Sequence, residues 1–267
     1  MGQPDRPWIE GRVASADPEN RKRWFRQHTE VAAQEILDFL DDAGWAMSGR
    51  RVLDLGCGDG FIDLGLARQG NPMRLIGTDL EPTDTDDLGQ LCEEVYGEPL
   101  PTTLEFRQCE VDSIPLPDRS MDLVVSWSAF EHVDYPVQVL KEVRRVLRPR
   151  GAVFIQIWPL YWSEHGSHFW YWFPEGWEHL RRSVADVRSE VAESTDLSGD
   201  VVDAMLVDFD SLNRLTVGEL QRAILAAGLR ITRVELMTGT IEVPPGLEHL
   251  PVLDLLSAGI KLLAVRA

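Results

Sequence analysis

Basic charge is scarce in this sequence of 267 residues. It has 26 lysine and arginine residues against 44 aspartate and glutamate residues, which gives a net charge of −18. A protein that grips the phosphate backbone of a nucleic acid needs a basic surface, and so does one that docks on an anionic membrane. The composition therefore argues against nucleic acids and membranes as partners.

Cysteines and long hydrophobic runs are also few. The three cysteines, Cys57, Cys92 and Cys109, are widely spaced and odd in number, so they predict neither a disulfide framework nor a zinc cluster. No stretch approaches the roughly 18 consecutive apolar residues that a membrane-spanning helix needs, and the polar first 17 residues lack the apolar region of a signal peptide. We therefore expect a cytoplasmic protein.

The sequence does contain an alternation of short apolar runs with helical segments. A first helix is predicted from Pro18, with Asp17 as its N-cap, to a stop at Gly44. Seven runs are predicted to be strands: Arg51 to Leu55, Arg74 to Thr78, Leu104 to Cys109, Met121 to Trp127, Ala152 to Ile157, Ile231 to Met237 and Ile260 to Arg266. A capping box at Thr216 and Glu219 starts the last predicted helix. This alternation predicts an α/β fold with a mostly parallel sheet and helices on both faces.

Residues 158–213 interrupt the alternation. Their first part is crowded with aromatic side chains, and their second part, Ser183 to Asp210, is acidic and amphipathic. Segments of this length are typically lids or binding elements. We expect a substrate-binding lid inserted in a single domain, residues 1–267, whose first 46 residues form a helical cap. Two interpretations of the aromatic rings stay open: a wall for the substrate, or the core of the lid or of a homodimer interface.

A glycine-rich turn, residues 56–60, follows the first predicted strand. Its glycines allow a ligand to approach the backbone closely and present N–H groups at a helix N-terminus. Phe61 stands where a dinucleotide-binding fingerprint needs a small residue, and Asp54 and Asp59 would repel a pyrophosphate, so a nicotinamide dehydrogenase is disfavoured. A ligand with positive charge fits the turn better, and Asp79, after the second strand, is suited to bind a ribose diol.

Five segments, in this order, resemble the motifs of class I S-adenosylmethionine (SAM)-dependent methyltransferases, in particular bacterial small-molecule and sugar O-methyltransferases. They are Val52 to Gly60, Asp79, Glu110-Val111, Met121 to Val124 with Glu131-His132-Val133, and Leu140 to Ala152. Glu110 departs from the family, which usually has aspartate there. The resemblance covers residues 51–157 closely and 216–267 loosely. It implies a Rossmann-like sheet of seven strands in the order 3-2-1-4-5-7-6.

The resemblance also implies how SAM would be held. Asp54 with the backbone of Gly56, Cys57 and Gly58 would hold the methionine end, Asp79 the ribose, and Leu80, Glu110 and Val111 the adenine, while Ser126 and Trp127 would lie near the sulfonium. The fold does not imply the acceptor.

An alcohol acceptor needs a base, because its own pKa is far above 7. The candidates for this base are His132, His165 and His168. Tyr161, Trp162, Glu164 and Trp170 are predicted to bind the substrate, since aromatic faces stack on sugars and carboxylates bond hydroxyl groups. Glu131, His165 and His168 are also candidate ligands of a divalent metal such as Mg²⁺, but their spacing matches no specific metal pattern.

We therefore expect a SAM-dependent methyltransferase that methylates a hydroxyl group of a small molecule, with a saccharide favoured. One alternative is N- or O-methylation of an amine or a polyketide-like natural product. Another is a non-catalytic protein that binds SAM and acts as a partner of other proteins.

Overall fold

The computed structural model describes residues 18–195, 197–239 and 242–266. The chain begins with helix α1, Pro18–Arg26, passes through a π-helical segment, Gln27–Ala32, and continues as α2, Ala33–Asp42. The helix predicted to start at Pro18 is therefore confirmed, whereas its predicted cap, Asp17, lies outside the described residues. Short π-helical segments of this kind are frequent at functional sites.

Seven strands form one sheet in the order β3-β2-β1-β4-β5-β7-β6, as the resemblance implied. The strands are β1 Arg51–Leu55, β2 Arg74–Asp79, β3 Leu104–Gln108, β4 Met121–Trp127, β5 Leu147–Ile157, β6 Leu229–Thr238 and β7 Ser257–Arg266. Strands β1 to β5 pair in parallel, and β7 runs antiparallel to both of its neighbours. The strand order reverses between β1 and β4, and open α/β sheets bind ligands at the carboxyl ends of the strands beside such a point.

The remaining helices connect these strands and cover the sheet. They are α3 Phe61–Gln69, α4 Thr85–Tyr96, α5 Pro136–Val146, α6 Glu178–Arg181, α7 Val184–Ala192, α8 Gly199–Ser211, α9 Val217–Ala226 and α10 Val252–Leu256, with a 3₁₀ turn at Phe130–His132. The predicted capping box is present: the Thr216 hydroxyl accepts from the Glu219 amide, and the Glu219 carboxylate accepts from the Thr216 amide. No helix in the described ranges is long and apolar enough to cross a membrane.

Alternate side chains of the strands build a core on each face of the sheet. On one face Leu53 and Val124 lie in a cluster with Leu140 of α5 and Ile224 of α9. On the other face the neighbouring strand positions, such as Val52, join a cluster that includes side chains of α2 and α3. Because both faces of the sheet are covered, residues that point to either side must be apolar, and the strand sequences are nearly continuous apolar runs.

Residues 158–213, called the lid from here on, have a hydrophobic core of their own. Phe169 packs against Phe209 of α8 with the ring centroids 4.7 Å apart, and Val187 and Val191 of α7 complete the cluster. All four side chains are buried. The amphipathic helices of the acidic part therefore turn their apolar faces towards the aromatic part.

Candidate active site

The glycine-rich turn after β1 has a backbone that only glycine adopts easily. Gly56, Gly58 and Gly60 have φ angles of +82°, +52° and +77°. A Cβ atom on Gly56 would also lie 2.4 Å from the Cβ atom of Ala129. The Gly58 amide donates a hydrogen bond of 2.8 Å to Oδ2 of Asp79 at the end of β2. The turn and this carboxylate are therefore held together as one unit.

A cavity of about 850 Å³ lies at the carboxyl ends of the central strands, within the size range of small-molecule sites. Strands β1, β2 and β3 supply residues 54–59, 78–81 and 109–114 to its wall. The other side of the cavity, which we call the acceptor half, is formed by residues that follow β4 and β5 and by the lid. Its main members are Trp127, Ser128, Glu131, His132, Asp134, Trp158, His168, Met205, Asp208 and Ser211.

The predicted cofactor-binding residues lie together at this cavity, with one exception. The wall includes Asp54, Gly56, Cys57, Gly58, Asp79, Leu80, Glu110, Val111 and Trp127. Leu80 and Val111 are apolar but 48% and 44% exposed, so they offer the contact surface that a planar base needs. Ser126 is the exception: it is buried, and its hydroxyl donates to the Leu55 carbonyl at 2.9 Å.

A buried carboxyl pair lies behind the glycine turn. Asp54 and Asp63 are 2% and 0% exposed, and neither carboxyl oxygen of Asp63 has a hydrogen-bond partner within the described residues. Burial raises the pKa of Asp54 to about 7 and the pKa of Asp63 well above its usual range. The pair therefore retains a proton near neutral pH. Asp63 was not predicted as a site residue, and a charged residue in the first turn of a helix carries no signal of burial.

The end of β4 contributes a second buried acid. Glu131 lies on the 3₁₀ turn, is 5% exposed, and neither of its carboxyl oxygens has a hydrogen-bond partner within the described residues. Burial raises the pKa of Glu131 to about 8. The Glu131 carbonyl accepts from the Asn213 amide at 2.8 Å, and the Asn213 side chain donates to the carbonyls of Phe130 and Val133. This turn is therefore clamped to the end of the lid.

Two of the three predicted histidines meet in the cavity. The rings of His132 and His168 lie edge to face with their centroids 5.9 Å apart. His132 Nδ1 lies 2.7 Å from the Ser211 hydroxyl, which itself donates to the Asp208 carbonyl. When the Ser211 hydroxyl donates to Asp208, it accepts from Nδ1 of His132, and in that tautomer Nε2 is the basic nitrogen of the ring.

The third histidine lies away from the cavity wall. The His165 ring packs edge to face against Trp170, and its Nε2 is 4.0 Å from a carboxylate oxygen of Glu164. Burial lowers the pKa of His165 below its ordinary value. The structure therefore does not bring His165 together with His132 and His168.

The predicted substrate wall is also placed elsewhere. Tyr161 and Trp162 belong to the lid cluster, and Nε1 of Trp162 donates to the Arg214 carbonyl. Trp170 packs against Trp158, with 5.4 Å between the ring centroids. Neither Trp170 nor Glu164 lines the cavity. The physical reason is that α7 and α8 need apolar partners, which these aromatic rings supply.

The cavity wall instead includes residues that the sequence analysis did not select. They are Trp24 and His28 of the N-terminal helix, Trp158 at the end of β5, and Met205, Asp208 and Ser211 of α8. Trp24 and His28 are four residues apart, so they share one helical face. That spacing is the same for a core face and for a cavity wall, so it could not have identified them.

The structure does not support the predicted metal site. Across residues 18–195, 197–239 and 242–266, no three histidine, cysteine, aspartate or glutamate side chains are grouped so that they could hold a metal ion. The ring of His165 packs against Trp170 and does not line the cavity that Glu131 and His168 line.

Comparison with known proteins identifies the domain. Residues 53–155 match the family model described as a methyltransferase domain. The ubiquinone biosynthesis O-methyltransferase of Aeromonas salmonicida is 32% identical over 121 residues, which are 45% of this chain and 48% of that protein. The chain therefore spans about half the length of the curated relatives it matches.

Solved structures share the fold at low sequence identity. The S-adenosylmethionine-dependent methyltransferase of Mesorhizobium loti aligns with a TM-score of 0.51 and 19% identity over 92% of this chain and 98% of that chain. A SAM-dependent methyltransferase of Methanosarcina mazei aligns with a TM-score of 0.53 and 19% identity over 85% and 96%. The matched domain over residues 53–155, the strand order and the glycine turn bonded to Asp79 together support a class I SAM-dependent methyltransferase.

Proposed function

We propose that this protein transfers the methyl group of SAM to a hydroxyl group of a small molecule, with a saccharide as the acceptor. The observation that carries the proposal is a single cavity that joins the glycine turn and Asp79 to a pair of histidines. A candidate cofactor site and a candidate base therefore line the same cavity, as methyl transfer to an alcohol requires.

The residues of the cavity fit a cationic methyl donor. Among the described residues that line it, none is lysine or arginine, while Asp54, Asp79 and Glu110 supply carboxyl groups. The amides of the turn and the Asp79 carboxylate would hold the methionine end and the ribose, and Glu110 with the Val111 amide would hold the adenine edge. When bound, SAM supplies an electrophilic methyl group on a sulfonium whose sulfur leaves as a neutral thioether.

His132 is the base that the geometry favours. When its Nδ1 donates to Ser211, Nε2 can take the proton of the acceptor hydroxyl while the oxygen forms its bond to the methyl carbon. His168 lies against the same ring and is the second candidate. The face of Trp127 on the cavity wall would stabilise positive charge by roughly 0.5–2 kcal/mol.

Two readouts test this proposal. A methyl-donor assay against a panel of sugars, glycosides, amines and phenols, read by mass shift, should find a product methylated on oxygen. His132→Ala should then lower the rate on that acceptor by about 10²–10⁴-fold, because a positioned base contributes that much, while SAM binding stays intact. His168→Ala tests the second candidate, and His249→Ala, at an exposed histidine, is the matched control.

Near-normal turnover in both His132→Ala and His168→Ala would contradict a histidine base. Methylation of an amine nitrogen or a phenol in place of a sugar hydroxyl would favour the alternative acceptors, an amine or a polyketide-like compound. Tight binding of SAM without methylation of any acceptor would favour a non-catalytic SAM-binding protein. These three results are distinct, so each one identifies which part of the proposal has failed.

A further inference from the structure

The charge of the acceptor half restricts what can bind there. Its carboxyl groups come from Glu131, Asp134 and Asp208, and the basic side chains on the described cavity wall are histidines only. A phosphate or carboxylate group on the acceptor would need arginine, lysine or several N–H donors, and it would be repelled by these acids. The acceptor half is therefore suited to a neutral or positively charged molecule.

Glu131 restricts the choice of acceptor further, because its carboxyl group is buried in the wall and has no hydrogen-bond partner among the described residues. It is 5% exposed, and both of its oxygens lack a hydrogen-bond partner within the described residues. Leaving such a group without a partner is unfavourable, so a native structure keeps it only where something else satisfies it. A ligand that donates hydrogen bonds to both oxygens would remove this cost.

The position of Glu131 is also fixed in a way that suits a binding residue. Asn213 makes three hydrogen bonds to the backbone of the 3₁₀ turn, at 2.8, 2.8 and 3.0 Å. Glu131 is therefore held directly beside His132, the favoured base, on a turn that has little freedom to move. A group bound by Glu131 would lie close to the oxygen from which His132 takes a proton.

Two tryptophans add a second preference for a cation. Trp127 and Trp158 both line the acceptor half, and Trp158 is backed by Trp170. The faces of tryptophan rings attract ammonium groups, most strongly where water is excluded. Buried carboxyl and indole faces together are the usual chemistry for recognising a protonated amine. An uncharged sugar hydroxyl would not favour the ionised form of this carboxyl group as an ammonium group does.

We infer that the acceptor carries a protonated amino group beside the hydroxyl that is methylated, and that Glu131 binds this ammonium group. Within the proposed O-methylation of a saccharide, on which this inference rests, the substrate class is therefore an amino sugar or an aminocyclitol. Burial raises the pKa of Glu131 to about 8, and a bound ammonium group would favour its ionised form.

Matched sets of compounds test the inference directly. Glucosamine is compared with N-acetylglucosamine and glucose, and 2-deoxystreptamine with its N-acetylated form, in the presence of saturating S-adenosylhomocysteine. Binding is followed by the fluorescence of the cavity tryptophans, and methylation by mass shift with SAM. We expect the amines to bind at least tenfold more tightly than their N-acetylated or hydroxyl counterparts. Equal affinity, a preference for the neutral compounds, or no measurable binding of the amines would overturn the inference.

A variant pair assigns the preference to Glu131. Glu131→Gln should lose the tenfold preference for the amines and keep its affinity for S-adenosylhomocysteine. Glu175→Gln, which removes an exposed carboxylate of the lid, should keep both. If Glu131→Gln weakens cofactor binding and retains the preference, the carboxyl group belongs to the cofactor and the inference is wrong.

Failure of this inference differs from failure of the proposed function. The inference fails if sugar hydroxyls are methylated without any preference for amines. The proposed function fails if SAM does not bind, or if the methyl group is found on nitrogen and not on oxygen. Fragmentation of the methylated product distinguishes these outcomes, because it reports which atom carries the added mass.

Discussion

Replacing Glu131 by glutamine should change how the stability of the ligand-free protein depends on pH. The folded chain holds the proton of Glu131 up to a pKa of about 8, whereas an ordinary glutamic acid ionises near 4.5. Between these values the unfolded chain binds fewer protons than the folded chain. The stability of the natural protein therefore falls as the pH rises through this window, and the contribution of Glu131 is fully present only below about pH 4.5.

The size of the effect follows from the same two values. The gap between about 8 and 4.5 corresponds to about 5 kcal/mol, at 1.36 kcal/mol for each pH unit. Relaxation of the cavity wall and entry of water lower this figure, so we expect about 2–5 kcal/mol. Glutamine has the same shape and does not titrate. Any fixed cost of burying its amide is the same at every pH and cancels when two pH values are compared.

The assay is urea-induced unfolding followed by tryptophan fluorescence at pH 5 and pH 9. Buffers without amines are required, because an amine would occupy the site that we propose for the acceptor. The difference in unfolding free energy, Glu131→Gln minus the natural protein, should rise by about 2–5 kcal/mol from the lower to the higher pH. Glu175→Gln should show no such rise. If the difference for Glu131→Gln is the same at both pH values, Glu131 is not a buried, protonated acid and the reasoning is refuted.

Two further predictions concern the cofactor side of the cavity. Asp79→Ala should weaken SAM binding by about 5- to 160-fold in calorimetry, because the loss of two ribose hydrogen bonds costs about 1–3 kcal/mol, and an unchanged affinity would remove the ribose assignment. Gly56→Ala should destabilise the fold by about 1–3 kcal/mol more than Gly58→Ala in urea unfolding. Both glycines have positive φ angles, but a new Cβ atom on Gly56 would lie 2.4 Å from the Cβ atom of Ala129, whereas one on Gly58 would have no atom of the described residues within 4 Å. If both substitutions lower the free energy of unfolding equally, backbone strain alone accounts for the loss, and the contact with Ala129 contributes nothing.

The strands could be predicted because their pattern is local. The bounds of Arg51–Leu55 and Met121–Trp127 are those expected, since each run is apolar and adjoins a turn. Strand β5 was predicted to begin at Ala152 and begins at Leu147. Its pairing with β4 shifts register between Met121 and Leu123. This irregularity accommodates residues 147–151, whose proline and glycine are typical of a turn.

The aromatic segment shows where local pattern stops being informative. Phe169 and Tyr161 fill the core of the lid, whereas Trp158 lines the cavity, yet all three are aromatic residues in one short stretch. Whether each ring faces the core of the lid or the cavity depends on where α7 and α8 pack. Those helices come later in the sequence than the aromatic residues. Composition therefore predicted a lid rich in aromatic side chains but not which of them reach the ligand.

The sequence by itself predicted the strands and the glycine turn, because periodicity, glycine conformation and the spacing of Asp79 are properties of short segments, and the resemblance to class I SAM-dependent methyltransferases implied the strand order. Only the tertiary structure decided the acid–base arrangement. Glu131 has an unusual pKa because packing removes it from water, and Nε2 is the basic nitrogen of His132 when Nδ1 donates to Ser211, 79 residues away along the chain and 2.7 Å from the ring. Burial and long-range hydrogen bonds belong to the folded chain as a whole, and they set the chemistry of this cavity.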